Sequence, residues 1–140
     1  MSSIERAITI ALEAHQHKTD RNKRPYILHP LHVMHQMDSD VEMMAAVLHD
    51  VVEDSAITLD DLRREGFASE VIDAVALLTH DKEAMSYEDY VLGLKSNPLA
   101  RKIKLADLTH NMDLRRIERI SDADLKRMEK YHRAWEILTQ

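Results

Sequence analysis

The sequence predicts an all-α protein, and three observations carry this prediction. Only two of its 140 residues are glycine and three are proline, and aromatic residues make up 4% of the chain. Alanine, leucine, methionine, glutamate, lysine and arginine, which all favour helices, are abundant. Apolar residues recur at helical spacing, and no segment alternates as a strand would. We therefore expect one compact domain over residues 1–140, built as a bundle of about seven or eight helices.

The composition limits the class of function. Nineteen basic residues against 25 acidic ones give a formal charge of −6, which argues against general binding to nucleic acid. The absence of cysteine excludes disulfides and thiolate ligands and suits a reducing cytoplasm. The first residues carry charges too early for a signal peptide, and no apolar run is long enough to span a membrane. We expect a cytoplasmic protein that binds neither nucleic acid nor membranes.

The first helix is predicted from about Ser3 to Lys18, with His15 on its apolar, inward side. Two prolines then interrupt the helical pattern. Pro30 suits the first position of the second helix, and it disfavours α conformation at the residue before it. His29 is therefore expected at a rigid joint between a loop and a helix.

Capping residues predict where the later helices begin. Serine or threonine followed three residues later by an acid is a helix start signal. Such pairs are Ser39 with Glu42, Thr58 with Asp61, Ser86 with Asp89, and Ser121 with Asp124. Gly66 suits a helix stop, and further helices are expected from Ser69 to Thr79 and from Pro98 to about Met112. The predicted buried stripe of the last helix comprises Leu125, Met128, Tyr131, Trp135 and Leu138.

The stretch VLHDVVED places one histidine and three carboxylates inside an apolar segment. A single helix that begins after Ser39 and ends near Asp54 would gather the charged residues into one polar patch. These residues are His49, Asp50, Glu53 and Asp54. The preceding turn is apolar on all sides, which is typical of a buried helix, and buried carboxylates need a compensating cation. Because the helix has no basic residue of its own, a divalent metal is favoured over ion pairing.

Adjacent His49 and Asp50 can both reach one ion, so two further ligands must come from elsewhere in the chain. The candidates are His15, His29, His32, His35, His80, Asp81, Asp107 and His110. Most of these have a simpler explanation as solvated or helix-capping residues. Asp107 differs because it interrupts the apolar run IKLADL and would be buried, and His29 differs because a rigid joint suits a preorganised ligand.

Four segments in order resemble the HD-domain metal-dependent phosphohydrolases, specifically the hydrolase domain of RelA/SpoT-type enzymes and their small stand-alone relatives. The segments are AHQHKTDR, RPYILHPLHVM, AAVLHDVVEDS and IKLADLTHNMD. The resemblance spans nearly the entire chain and implies an HD-type helical bundle. It also implies a manganese site built by His29, His49, Asp50 and Asp107. Imidazole and carboxylate ligands alone would equally suit Fe²⁺ or Zn²⁺.

The resemblance also implies a reaction. The similar enzymes remove the 3′-pyrophosphate from guanosine tetra- or pentaphosphate, so the expected substrate is a phosphorylated nucleotide. By the same resemblance Glu53 and Asp54 are catalytic and would orient or deprotonate the attacking water. Their alternative role is support of the histidine ligands. Because the chain leaves no room for a synthetase domain, we expect hydrolysis only.

Four residues are candidates for substrate binding. Three of them, Lys18, Arg21 and Lys23, lie in a basic stretch that could also be a solvated loop. Arg21 is favoured because a planar guanidinium can stack on a purine and bind phosphates. The fourth candidate is Asn111, which falls on the same helix face as Asp107.

The chain departs from the family pattern at three positions. Leu108 and Asp113 stand where the long enzymes carry basic residues, and Lys18 replaces a glutamine. Hydrolysis of another nucleotide or phosphorylated metabolite at the same metal is therefore the first alternative. The others are a catalytically silent nucleotide- or metal-binding module and a structural bundle whose acids pair with Lys102 and Lys104.

Overall fold

The computed structural model describes residues 2–140. Within this range the chain forms nine α-helices and one 3₁₀ helix, and its only extended pairing is an isolated bridge between Thr19 and Pro25. The helices are α1 (Ile4–His15), α2 (Leu28–His35), α3 (Asp40–Val47), α4 (Val51–Asp54), α5 (Leu59–Arg64), α6 (Ser69–Leu78), α7 (Tyr87–Leu94), α8 (Pro98–Asn111), the 3₁₀ helix (Leu114–Arg116) and α9 (Asp122–Thr139). The prediction of an all-α fold is confirmed.

The predicted start signals all cap helices, although the capping box predicted at Ser39 is incomplete because Glu42 accepts from the N–H of Asp38 instead. The hydroxyls of Ser39 and Ser86 each accept a hydrogen bond from the backbone N–H three residues on. Thr58 and Ser121 form complete capping boxes, in which the acid three residues on also accepts from the backbone N–H of the cap. Gly66 follows α5 with a φ of 86°, the left-handed conformation that glycine adopts without strain. Local sequence therefore determines most helix boundaries.

The helix α3 lies at the centre of the core and packs against α1, α2, α6 and α8. Its last three residues, Ala45, Ala46 and Val47, are completely buried. The helix α9 packs on α7 and α8. This packing brings the start of α2, the end of α3 and the end of α8 together. None of the helices in residues 2–140 is long and apolar enough to cross a membrane.

The predicted central helix is interrupted, so the prediction of a continuous helix to Asp54 was wrong. The helix α3 ends at Val47, and α4 begins at Val51. At the break the N–H groups of His49 and Val51 bond to carbonyl groups three residues back, which tightens the chain. Asp50 has a φ of −119°, outside the helical region. The apolar pattern continues through the break without a glycine or proline, so the sequence did not indicate it.

His29 lies in the first turn of α2, and the prediction that it is excluded from α conformation was wrong. The helix begins at Leu28, which makes Pro30 its third residue. In the first turn of a helix a missing N–H removes no hydrogen bond within the helix. The proline is therefore tolerated after His29, which still lies where the loop joins the helix.

The predicted buried stripe of α9 is only partly buried. Leu138 is completely buried and Ala134 is 2% exposed, whereas Trp135 is 39% exposed and Leu125 is 51% exposed. The prediction that Trp135 belongs to the core was therefore wrong. Helical spacing identified the apolar stripe but not which edge of the stripe faces α7 and α8.

Candidate metal centre

A cavity of about 570 Å³ contains all four predicted metal ligands in its wall. His29 comes from the first turn of α2, His49 and Asp50 from the break between α3 and α4, and Asp107 from α8. Each is buried, with at most 8% of its surface exposed. The fold therefore brings together three segments that lie far apart in the sequence.

The donor atoms of the four predicted ligands lie near one another. Nε2 of His29 is 2.7 Å from Oδ1 of Asp107, and Nε2 of His49 is 3.6 Å from the same oxygen. Nε2 of His49 is also 3.7 Å from Oδ2 of Asp50. Donor atoms of His29, His49 and Asp50 all lie within 4.8 Å of one another. Donors held at roughly 2.1 Å from one ion lie about 3.0 to 3.4 Å apart, so these separations suit a shared ion after small adjustments.

The chemistry of the donors also fits a divalent cation. Two imidazoles and two carboxylates without sulfur suit Mn²⁺, Fe²⁺ or Zn²⁺. Oδ2 of Asp50 faces Nε2 of His49, whereas Oδ1 is buried without a hydrogen-bond partner and lies on the side of His15. Among residues 2–140, the ion pairs of Asp50 involve only histidines, and neither lysine nor arginine neutralises it. A buried carboxylate with that environment is stabilised by a bound cation.

The break between α3 and α4 orients His49. Nδ1 of His49 lies 2.7 Å from the carbonyl oxygen of Ala46, a contact that requires the proton on Nδ1. The other nitrogen, Nε2, then faces Asp50 and Asp107. Burial opposes the charged form, but these two carboxylates raise the pKa of His49 to about 9. Metal binding at Nε2 must therefore displace a proton.

His110 holds His29 from the side opposite Asp107. The two Nδ1 atoms are 2.7 Å apart, and the ring planes differ by 4°. Burial and the positive charge of Arg116 lower the pKa of His110 to about 4, so this imidazole is neutral and accepts the Nδ1–H of His29. Nε2 of His29 is then directed at Asp107. The sequence indicated His110 only as a candidate ligand, because its contact with His29 joins distant parts of the chain.

Lys104 neutralises the far oxygen of Asp107. Its Nζ donates a hydrogen bond to Oδ2 of Asp107 at 2.9 Å and lies 5.3 Å from the ring centre of Tyr90. Burial opposes both charges, but the ion pair raises the pKa of Lys104. Lys104 together with His29 and His49 holds the pKa of Asp107 well below its usual range. Asp107 is therefore charged without depending on a metal.

The alternative of a structural bundle predicted that Lys102 and Lys104 pair with the acids of the site. Lys102 bonds instead to Asp38 at 2.6 Å and Glu42 at 2.9 Å. Lys104 pairs with Oδ2 of Asp107, while Oδ1 faces the histidines. Of the ion pairs that this alternative predicted, only the pair between Lys104 and Asp107 is present. It leaves Oδ1 of Asp107 beside the two histidines.

Glu53 and Asp54 line the same cavity, one turn beyond the histidine and aspartate of the break. Oε1 of Glu53 accepts a hydrogen bond from the backbone N–H of His80 at 2.8 Å, which fixes the direction of this carboxylate. Burial and the negative charges of Asp50 and Glu53 raise the pKa of Asp54. Both side chains lie at the cavity wall, and their catalytic assignment stays a prediction.

The four predicted substrate-binding residues lie in different places. Arg21 and Asn111 line the main cavity. Lys18 donates a hydrogen bond to the carbonyl oxygen of Asp54 and lines a separate, smaller cavity. Lys23 is exposed, has a left-handed φ of 63° and lies outside both cavities. The geometry therefore favours Arg21 over the two lysines, while the amide of Asn111 donates a hydrogen bond to Oδ1 of Asp107 at 3.1 Å.

Two lysines that the sequence did not single out, Lys82 and Lys130, line the cavity together with the predicted Arg21, and we call these three residues the cation cluster. Nζ of Lys130 lies 4.2 Å from the ring centre of Tyr87. Burial and the positive charges of Lys104, Lys82 and Arg21 lower the pKa of Lys130. Among residues 2–140 the cluster makes no ion pair with an acidic side chain. An anionic ligand would relieve this repulsion.

Comparison with known proteins identifies relatives, although no protein-family model matches the chain. A GTP pyrophosphokinase of Streptomyces coelicolor is 34% identical over 123 residues, which cover 80% of this chain and 14% of that protein. Two guanosine-3′,5′-bis(diphosphate) 3′-pyrophosphohydrolases, from Vibrio cholerae and Haemophilus influenzae, are 32% and 35% identical over 125 and 116 residues. These matches cover 80% and 74% of this chain. The chain spans only 14 to 18% of the length of these relatives.

A solved structure has the same fold. It is that of a metazoan ortholog of SpoT that hydrolyses ppGpp and plays a role in starvation responses. The TM-score is 0.79 at 23% sequence identity, and the match covers 96% of this chain and 84% of the other. The similarity confirms the helical architecture predicted from the sequence.

Proposed function

The chain belongs to the HD-domain hydrolases of the RelA/SpoT type, and from this premise we propose that it is a metal-dependent pyrophosphohydrolase of guanosine 3′,5′-bis(diphosphate). The observation that carries the proposal is the buried cluster of His29, His49, Asp50 and Asp107 in the wall of a cavity. Relatives named for this hydrolysis support the choice of substrate.

We infer that the resident ion is manganese, as the family resemblance implies. The ligand types are equally compatible with Fe²⁺ or Zn²⁺. A divalent ion held there would supply a Lewis acid that activates water and stabilises charge on a phosphoryl oxygen. His49 and His29 would each present Nε2 to it, because Ala46 and His110 engage their Nδ1 atoms.

The two acids beyond the ligands act on the attacking water in this proposal. Glu53 is fixed through Oε1 by the N–H of His80, so its other oxygen can accept a proton from the attacking water. Burial and the charges of Asp50 and Glu53 raise the pKa of Asp54, and its carboxylate can accept a hydrogen bond from the same water. We assign general base catalysis to Glu53 and support of that water to Asp54.

The cation cluster supports a highly phosphorylated substrate. Leu108 is completely buried, and the carboxylate of Asp113 is bonded to Arg115, so neither position offers a cation to a ligand. Lys82 and Lys130, which come from other segments, line the cavity instead. They would bind phosphate groups remote from the metal, since exposed cations without acidic partners attract multivalent anions.

A nucleotide panel tests the proposed reaction. The purified chain with Mn²⁺ is incubated with guanosine tetraphosphate, GTP, GDP and nucleotides of other bases, and released phosphate and pyrophosphate are measured separately. We expect pyrophosphate from guanosine tetraphosphate and little from nucleotides without a 3′-diphosphate. Faster release of phosphate or pyrophosphate from another nucleotide would make that nucleotide the substrate in place of guanosine tetraphosphate. Bound metal without release from any nucleotide would identify a silent binding module.

A further inference from the structure

His15 is a buried histidine that the proposed function does not use. It is the last residue of α1 and is 2% exposed. Its Nε2 lies 3.1 Å from Oδ1 of Asp50. Neither ring nitrogen of His15 nor this oxygen has a hydrogen-bond partner. Buried polar atoms without partners are unfavourable, so a small rotation that forms an Nε2–H to Oδ1 hydrogen bond is favoured.

Tyr26 holds the other oxygen of the same carboxylate. Its hydroxyl group donates a hydrogen bond to Oδ2 of Asp50. The rings of His15 and Tyr26 contact each other, with their centres 4.8 Å apart. Two neighbouring donors therefore face the two oxygens of one proposed metal ligand.

We propose that His15 and Tyr26 are positioning residues that fix the plane of the Asp50 carboxylate for metal binding. The proposal rests on the proposed function, in which Asp50 is a ligand. Asp50 follows the end of α3 and lies outside the helical conformation, so the local backbone is not a regular helix that would direct its side chain. Donors from α1 and from the following loop restrict its rotation instead, and restricting ligand rotation strengthens metal binding.

A second metal ion is the competing arrangement. Donor atoms of His15, Asp50 and Asp54 lie within 4.8 Å of one another, as they would around an ion. His15 would then be a ligand with an unprotonated Nε2, and the chain would bind two ions. The ammonium group of Lys18, which is bonded to the carbonyl oxygen of Asp54, disfavours another cation at this point. The geometry therefore favours His15 as a donor.

Binding of Mn²⁺ to the full chain, measured by calorimetry and elemental analysis, separates the two arrangements. His15→Leu fills the space without a donor, whereas His15→Gln keeps an N–H close to the position of Nε2. We expect one ion per chain throughout, with an affinity about 10- to 100-fold weaker in His15→Leu and largely restored in His15→Gln. The exposed His132 provides the control variant His132→Leu, which should bind as the wild type does.

Tyr26→Phe removes a single hydroxyl group and keeps the test informative if His15→Leu does not fold. We expect weaker metal binding in this variant as well, at an unchanged number of ions. Wild-type affinity in the folded His15 and Tyr26 variants would overturn the proposal, and so would two ions in the wild type with one lost in His15→Leu.

The test also separates this proposal from the proposed function. If metal affinity depends on His15 but no nucleotide is hydrolysed, the positioning role stands and the proposed function fails. If guanosine tetraphosphate is hydrolysed and the variants bind Mn²⁺ normally, the proposed function stands and the positioning role fails. A wild-type chain that binds no metal overturns both.

Discussion

The ammonium group of Lys104 lies 2.9 Å from Oδ2 of Asp107, one helical turn away on α8. The other oxygen of Asp107 lies 2.7 Å from Nε2 of His29. One oxygen of Asp107 thus pairs with the ammonium group of Lys104, and the other lies beside a histidine that is also a proposed metal ligand. The ion pair keeps the carboxylate charged, and it leaves one oxygen directed at the cluster.

Lys104→Met should destabilise the metal-free protein. The side chain of Lys104 is 12% exposed, and removing one partner of a buried ion pair costs roughly 3 to 5 kcal/mol. We expect a decrease of this order in the free energy of unfolding, measured by urea denaturation. Because a bound metal would replace the lost positive charge, Mn²⁺ should raise Tm more in Lys104→Met than in the wild type.

Lys102→Met is the matched control, because Lys102 is 37% exposed and pairs with Asp38 and Glu42. Loss of such an exposed pair should cost at most about 1 kcal/mol. Equal stabilisation of the wild type and Lys104→Met by Mn²⁺ would contradict a metal bound beside Asp107.

Glu53→Gln should retain metal and lose turnover. The amide keeps the size of the side chain and can still accept the hydrogen bond from His80, but it cannot take a proton from water. We expect a decrease in kcat of about 100- to 10,000-fold, with unchanged metal content by elemental analysis. The exposed Glu70 on α6 provides the control Glu70→Gln. Normal turnover by Glu53→Gln would remove the catalytic assignment.

Substitution within the cation cluster should weaken substrate binding. Arg21→Ala and Lys130→Ala each remove a charge from the cavity wall that has no acidic partner. We expect KM for guanosine tetraphosphate to rise roughly tenfold, with little change in kcat, since charged hydrogen bonds contribute about 1.5 to 3 kcal/mol. Lys126 is exposed on α9 outside the cavity, so Lys126→Ala should leave KM unchanged. Equal KM values in all variants would exclude the cluster from binding.

Proton release should accompany metal binding. The pKa of His49 is about 9 in the metal-free fold, against 6.5 for an unperturbed histidine. Protonated His49 therefore stabilises the metal-free fold fully below pH 6.5, and this stabilisation disappears as the pH rises through about 9. The affinity for metal should instead increase with pH, because the ion needs the unprotonated Nε2 of His49.

We expect Tm of the metal-free protein to decrease between pH 6.5 and 9 and affinity for Mn²⁺ to rise by up to about tenfold per pH unit over the same range. Calorimetry in two buffers of different ionisation enthalpy measures the released proton directly. An affinity that is constant between pH 7 and 9 would contradict coordination by His49.

Features set by neighbouring residues were predictable from the sequence. The caps at Thr58 and Ser121 and the stop at Gly66 require only local chemistry, and all three were confirmed. The burial of Asp107 also followed from its apolar neighbours. The family resemblance then selected the same four candidate ligands that the fold brings together.

Features set by distant contacts were not predictable. The sequence carried no sign that α3 breaks before His49, because the apolar spacing continues unchanged. The contact between His29 and His110 depends on how α2 packs against α8. Lys130 resembled any solvated residue of an amphipathic helix, and only the packing of α9 shows that it lines the cavity.

The most direct test of the central claim is pyrophosphate release from guanosine tetraphosphate. It is measured for the wild type and for His49→Gln before chelation, after chelation and after Mn²⁺ is added back. We predict that wild-type activity disappears on chelation and returns with Mn²⁺. His49→Gln, shown by circular dichroism to be folded, should neither retain the metal nor release pyrophosphate. Hydrolysis that persists in the metal-depleted wild type or in folded His49→Gln would contradict a reaction at this metal centre.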